Sequence, residues 1–460
     1  MDSLVPALPV GGAEAAVVIG GLLAAAAVAG RAGLVGSKNN RSNVPPAVPG
    51  LPLLGNLHQL KEKKPHKTFT KWAEIYGPIY TIQTGASSAV VLNSTQVAKE
   101  AMIAKFSSIS TRKLSKALSI LTHDKTMVAT SDYGDFHKMV KRFVMTSMLG
   151  TSGQKQFRDT RKVMIDNLLS TFHTSLNEDP NAPLNFREVF KNELFRLTLI
   201  HALGEDVSSV YVEEFGKVIS KEEIYHATVV EQMMCAIEVD WRDFFPYLSW
   251  VPNRSFETRI LTAEVIQASD TTLVTTEWAM YEVAKHPEKQ DRLYQEIQEV
   301  CGNEMVTEDH LPRLPYLNAV FHETLRRHSP VPLVPPRYVH ENTNLAGYEI
   351  PAGTEIIINL YGCNMNKNDW DEPEEWKPER FLDGRFETAD MYKTMAFGAG
   401  RRACAGNMQA INISCTAIAR FVQDFAWRLK ESDEDKADTT HLTANRLYPL
   451  HVYLTPRGRK

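Results

Sequence analysis

One cysteine, set among glycines and arginines, constrains this chain more than any other stretch: Phe397-Gly398-Ala399-Gly400-Arg401-Arg402-Ala403-Cys404-Ala405-Gly406. The thiolate is the metal-ligating form of cysteine, and neighbouring cations favour it. Two arginines precede Cys404, and Gly400 and Gly406 allow the backbone to bend close to something large and flat. Apolar residues at helical spacing follow (Met408, Ile411, Ile413, Ile418, Phe421, Val422). A lone cysteine is usually a small buried hydrophobe. The fixed positions of F-x-x-G-x-R-x-C-x-G set this one apart as a candidate metal ligand on a loop that enters a helix.

The rest of the chain reads as mainly α with a minor β portion. Strands are expected within Ile79–Leu92 around a turn at Gly85, and a hairpin over Leu345–Asn359. Helical spacing covers 95–105, 133–148, 154–176, 186–203, 262–286, 288–300 and 317–327. The 460 residues carry a net charge of −4, which gives no nucleic-acid footprint. Five cysteines without CxxC spacing do not make a disulfide scaffold and point to a reducing compartment. Ala15–Gly30 is an uncharged apolar run, followed by Arg31, Lys38 and Arg41. That asymmetry reads as a membrane anchor, residues 1–42, with the bulk of the chain on the cytosolic side. A proline-rich stretch over 43–57 then favours a stiff extended segment before the catalytic part, 43–460.

The cysteine pattern resembles the haem-binding loop of the cytochrome P450 family. The resemblance implies the P450 fold and haem b (iron protoporphyrin IX), with Cys404 as the axial iron ligand. It implies Arg402 at a haem propionate, and Phe397, Gly400 and Gly406 as the loop's fixed positions. Glu323-Thr-Leu-Arg326 is an i,i+3 pair, a pattern of no weight alone, since Glu193-Leu-Phe-Arg196 repeats it. Lying upstream of Pro378-Glu-Arg380-Phe and the cysteine loop, it resembles the family's buried network, here Glu323, Arg326 and Arg380. Asp270-Thr271, inside the helical stretch, resembles the acid–threonine pair that relays protons to dioxygen; read without the loop, Asp270 is a helix cap. Ala268 and Gln267 replace the small residues usual before it. In Tyr133–Arg142, His137 and Lys141 stand where the family has tryptophan and arginine, and either contact a propionate or belong to a solvated basic face. Arg337 of Pro335-Pro-Arg matches a residue that reaches the other propionate.

Longer stretches, Phe321–Arg337, Asp390–Gly406 and Phe244–Asn253, are similar to the plant branch of the family that oxidises a methyl group of the diterpene ent-kaurene to ent-kaurenoic acid, on the path to gibberellins. That resemblance implies an apolar diterpene substrate, dioxygen, and electrons from NADPH through a partner reductase. It also implies anchoring at the endoplasmic reticulum or plastid envelope. One departure stands out: ten residues separate the Trp241–Arg259 stretch from Asp270, where the family has several dozen. The missing part belongs to the roof over the substrate pocket. A haem-binding chain with impaired or no turnover is therefore the alternative reading.

Overall fold

The computed structural model describes residues 43–60, 64–213, 216–230, 235, 236, 238–261, 270–382, 393–431, 439, 440 and 443–458. The expected anchor over 1–42, Gln267 and Ala268 lie outside the described residues. Among the described residues no helix is long and apolar enough to cross a membrane. The chain divides into two compact units.

The first unit comprises the chain up to Lys116 together with Val239–Arg254 and Leu333–Cys363. Its centre is a five-stranded sheet in the order Ile79–Thr84, Ser87–Leu92, Glu355–Asn359, Leu333–Tyr338, Thr111–Arg112. Ser87–Leu92 and Glu355–Asn359 run parallel and the other neighbours antiparallel. Thr84 pairs with Ser87, so Gly85 and Ala86 form a two-residue turn. Gly85 takes φ +62°, the left-handed conformation such turns require. Val48, Phe69, Tyr80, Ile82, Ala89 and Val91 pack as this unit's apolar cluster. The proline-rich segment is extended along the outer strand, with Val48 N donating to Thr81 O at 2.9 Å and Thr81 N to Pro46 O at 2.8 Å. Prolines suit that edge because no ladder donor is asked of them. The single hairpin expected over 345–359 is not formed. Thr343–Leu345 pairs with Tyr348–Ile350, while Glu355–Asn359 joins the large sheet. Pro351, which cannot donate to a ladder, and Gly353 at φ +84° separate the two.

The second unit comprises Ala117–Glu238, Ser255–Pro332 and Asn364–Lys460 and is mostly helical. Helices over Phe186–Leu203, Pro287–Cys301 and Pro315–Arg327 follow the apolar periodicity of their sequences. The first is capped by Asn185, whose side chain accepts from Glu188 N, and stops at Gly204 in the left-handed region. The stretch 154–176 is broken at Phe157 into Thr151–Gln156 and Arg158–Glu178. Asn407–Asp424 runs through the core, and every residue from Ile413 to Asp424 is buried. Met164, Leu168, Phe172, Val274, Leu317 and Phe321 belong to the same apolar cluster as Ile418 and Phe421. Each such side chain fully buried contributes about 1.5–3 kcal/mol, which fixes the helix that begins three residues after Cys404.

Candidate functional site

The cysteine loop is built by short backbone bonds. Gly398 N donates to Met395 O at 2.8 Å, Ala403 N to Gly400 O at 3.0 Å, and Cys404 N to Phe397 O at 2.8 Å. Gly398 and Gly400 take φ +68° and +69°, and Gly400–Arg402 is a single 3₁₀ turn. Gly406 has φ −92°, which any residue adopts, and an added Cβ would meet the Cys404 sulfur at an ordinary 4.0 Å. The Cys404 side chain is accessible to solvent, whereas Cys301, Cys363 and Cys415 are buried. The surrounding protein pushes its thiol up from the ordinary range, against the Gly406 N–H and the Lys141 ammonium, which both favour the thiolate.

Two cations and a histidine from the sequence reading gather at this loop. Lys141, on the helix Asp135–Val144, donates to Arg401 O at 2.9 Å and Ala403 O at 3.3 Å, so its ammonium clamps the loop backbone. Burial lowers its pKa. Arg402 Nη2 donates to Ser131 O at 2.6 Å, while its Nε is buried without a hydrogen-bond partner among the described residues. His137 is 2% exposed, with Nδ1 3.0 Å from Ser131 Oγ and its ring packed on Tyr133. Phe397 packs against the main apolar cluster. A reachable sulfur, glycines in the left-handed region and a guanidinium with an unspent buried donor fit a metal-centred macrocycle bearing carboxylates.

Glu323, Arg326 and Arg380 come together within the second unit, which also holds the loop. Glu323 and Arg326 are both 0% exposed. Arg326 forms a bidentate pair with Glu323 at 2.7 and 2.8 Å and donates to the carbonyls of Asn364, Pro373 and Glu375. Arg380 Nε and Lys377 N complete the shell of Glu323 at 3.1 and 2.8 Å. The control pair Glu193–Arg196 also forms, at 3.0 Å, but both side chains are about one-fifth exposed (20% and 18%). Burial and three carbonyl acceptors are what the i,i+3 spacing could not reveal.

The described part of the Asp-Thr helix is Asp270–Lys285. Thr271 is half-buried, and its carbonyl accepts from Thr275 Oγ1 at 2.8 Å. Thr276 Oγ1 donates to Ser414 Oγ at 3.0 Å, tying this helix to the cysteine helix. Arg337 belongs to the first unit, 2% exposed on the strand Leu333–Tyr338, with Nη1 3.4 Å from Ile109 O. Sequence reasoning missed Ser131 and the Lys377 amide, because no spacing rule marks a lone loop serine or a backbone donor.

The cytochrome P450 family model matches residues 45–258 and 257–452, in two pieces. "Ent-kaurene oxidase 2" of Oryza sativa subsp. japonica is 67% identical over 508 positions, covering all of both chains. That span is 48 positions longer than the 460 residues here. "Ent-sandaracopimaradiene 3-hydroxylase" of the same organism is 60% identical, over 91% of this chain and 92% of its own. "Ent-kaurene oxidase" of Salvia miltiorrhiza is 52% identical, over 90% of each.

Proposed function

We propose that this chain, which belongs to the cytochrome P450 family, is a haem-thiolate monooxygenase that oxidises a methyl group of a diterpene, ent-kaurene being the substrate that its relatives' names favour. The observation that carries the reading is the loop that leaves Cys404 reachable beside Lys141 and Arg402. When bound, haem supplies activation of dioxygen with electrons from a partner reductase, ultimately from NADPH.

The chain's own residues hold, orient and feed that group. Cys404 would ligate the iron, its thiolate favoured by the Gly406 N–H and the Lys141 ammonium. Arg402 and His137 would take a propionate, while Lys141 holds the loop by its carbonyls; for Arg337 only the family resemblance implies such a role. Asp270 and Thr271, at the start of the helix Asp270–Lys285, would hold and pass protons, as the family resemblance implies. Glu323, Arg326 and Arg380 carry no chemistry; they fix the backbone of 364–375. Anchoring through residues 1–42 at the endoplasmic reticulum or plastid envelope completes the reading. Haem binding without turnover is not favoured, because the relatives named as oxidases and a hydroxylase match over nine-tenths or more of this chain (100%, 91% and 90%).

The test uses the full chain in detergent, with its reduced carbon monoxide difference spectrum. A thiolate-type Soret band is expected, and Cys404→Ser abolishes it. Incubation with a reductase, NADPH and ent-kaurene should then yield oxidised diterpene. A thiolate band without product would favour the alternative reading, and failure to take up haem would overturn both.

A further inference from the structure

We propose that Ser131 is a positioning residue that sets the donor face of His137 and the place of Arg402 toward the haem carboxylates; this rests on the haem reading above. A neutral imidazole has one donor nitrogen and one acceptor nitrogen, and an ionised carboxylate only accepts. A histidine can serve a carboxylate only if the nitrogen facing it carries the proton. The hydrogen bond made by the other nitrogen decides which one that is. Ser131 Oγ stands 3.0 Å from His137 Nδ1. A hydroxyl donating there keeps the ring proton on Nε2 and makes Nε2 the donor.

Ser131 is itself held in place. It is 2% exposed, and its amide donates to Met127 O at 2.7 Å. Its carbonyl accepts Arg402 Nη2 at 2.6 Å. One residue on the segment before the helix Asp135–Val144 therefore binds His137 through its hydroxyl and Arg402 through its backbone. Arg402 keeps its buried Nε unspent. A buried donor without an acceptor is costly, and a carboxylate at that point removes the cost. The hydroxyl and the carbonyl separate cleanly by mutation, since Ser131→Ala removes only the first.

The experiment measures transfer of haem from the full-length holoprotein to excess apomyoglobin. Ser131→Ala should lose haem about five- to tenfold faster than the unmodified chain, the order of one neutral hydrogen bond. Ser131→Thr, which keeps the hydroxyl, should restore slow loss. In a His137→Phe background Ser131→Ala should add nothing, because its route runs through the imidazole. Unfolding of the haem-free protein is read alongside, because Ser131→Ala also removes a buried hydrogen bond, and the His137→Phe background separates positioning from that defect. Unchanged haem loss in Ser131→Ala, or an equal acceleration with and without His137, overturns the proposal. A failure of the functional reading looks different: the unmodified chain then shows no thiolate band to begin with.

Discussion

At the scale of single residues, the meaning of a charge is set by where its water went. Glu323–Arg326 and Glu193–Arg196 have the same spacing and nearly the same bond lengths. One pair is fully buried and the other partly wet. Replacing one partner of a buried pair leaves an uncompensated charge and costs about 3–5 kcal/mol, whereas an accessible pair is worth about 0–1 kcal/mol. Glu323→Gln should therefore cut the soluble, haem-loaded yield severely, while Glu193→Gln leaves it nearly intact. Thermal unfolding of the two variants side by side measures the contrast, and equal shifts would refute it. Both glutamates and both arginines were legible in the sequence. Their burial was not, because it depends on Trp370, Pro373 and Glu375, remote in the chain.

At the scale of elements, periodicity served well wherever one element buries one face. The helix Phe186–Leu203 follows its pattern to the residue, since Asn185 and Gly204 supply both ends locally. The pattern failed at 345–359, where Glu355–Asn359 pairs with Leu333–Tyr338 on one side and, on the other, with Ala89–Leu92, more than 250 residues earlier. Gly85 combines both kinds of information. Its positive φ is local, but its Cβ position is occupied by Phe244 O, 2.3 Å away. Gly85→Ala meets strain of about 1–3 kcal/mol from the backbone alone, plus a displacement of Phe244. Urea unfolding should show a midpoint loss larger than that of Gly347→Ala, which has φ +84° but open space around it. Equal losses would mean that the close approach does not matter.

At the scale of the whole molecule, acid should be the weak side of its stability. His201 sits against Phe157, accepts at Nδ1 from Gln409 Nε2 at 3.3 Å, and is pushed down to about 4 by burial and by the Arg161 guanidinium. His328, stacked on Trp278, is also lowered, chiefly by burial. A histidine kept neutral in the fold but free to protonate when unfolded gives stability that is present above pH 6.5. For His201 that stability drains away as pH falls from 6.5 to about 4. Glu282, bonded to His328 at 2.6 Å, is held below its usual range and adds a loss at lower pH still. Denaturant midpoints taken between pH 7 and pH 4 (a range set by these shifts) should fall, and fall less steeply in His201→Gln. A flat profile would contradict the burial of these rings. Sequence alone determined the cysteine loop, the family it resembles, the helical majority and the shortened interval before Asp270. The family match falls in two pieces that meet at residues 257–258, just before that interval. These are legible because motif spacing, periodicity and length are properties of neighbours along the chain. Tertiary structure decided which glutamate is buried, that Lys141 spends its ammonium on loop carbonyls, and that Ser131 joins His137 to Arg402. Desolvation and hydrogen-bond choice depend on atoms that only folding brings within 3 Å or so of one another, and no local pattern encodes them.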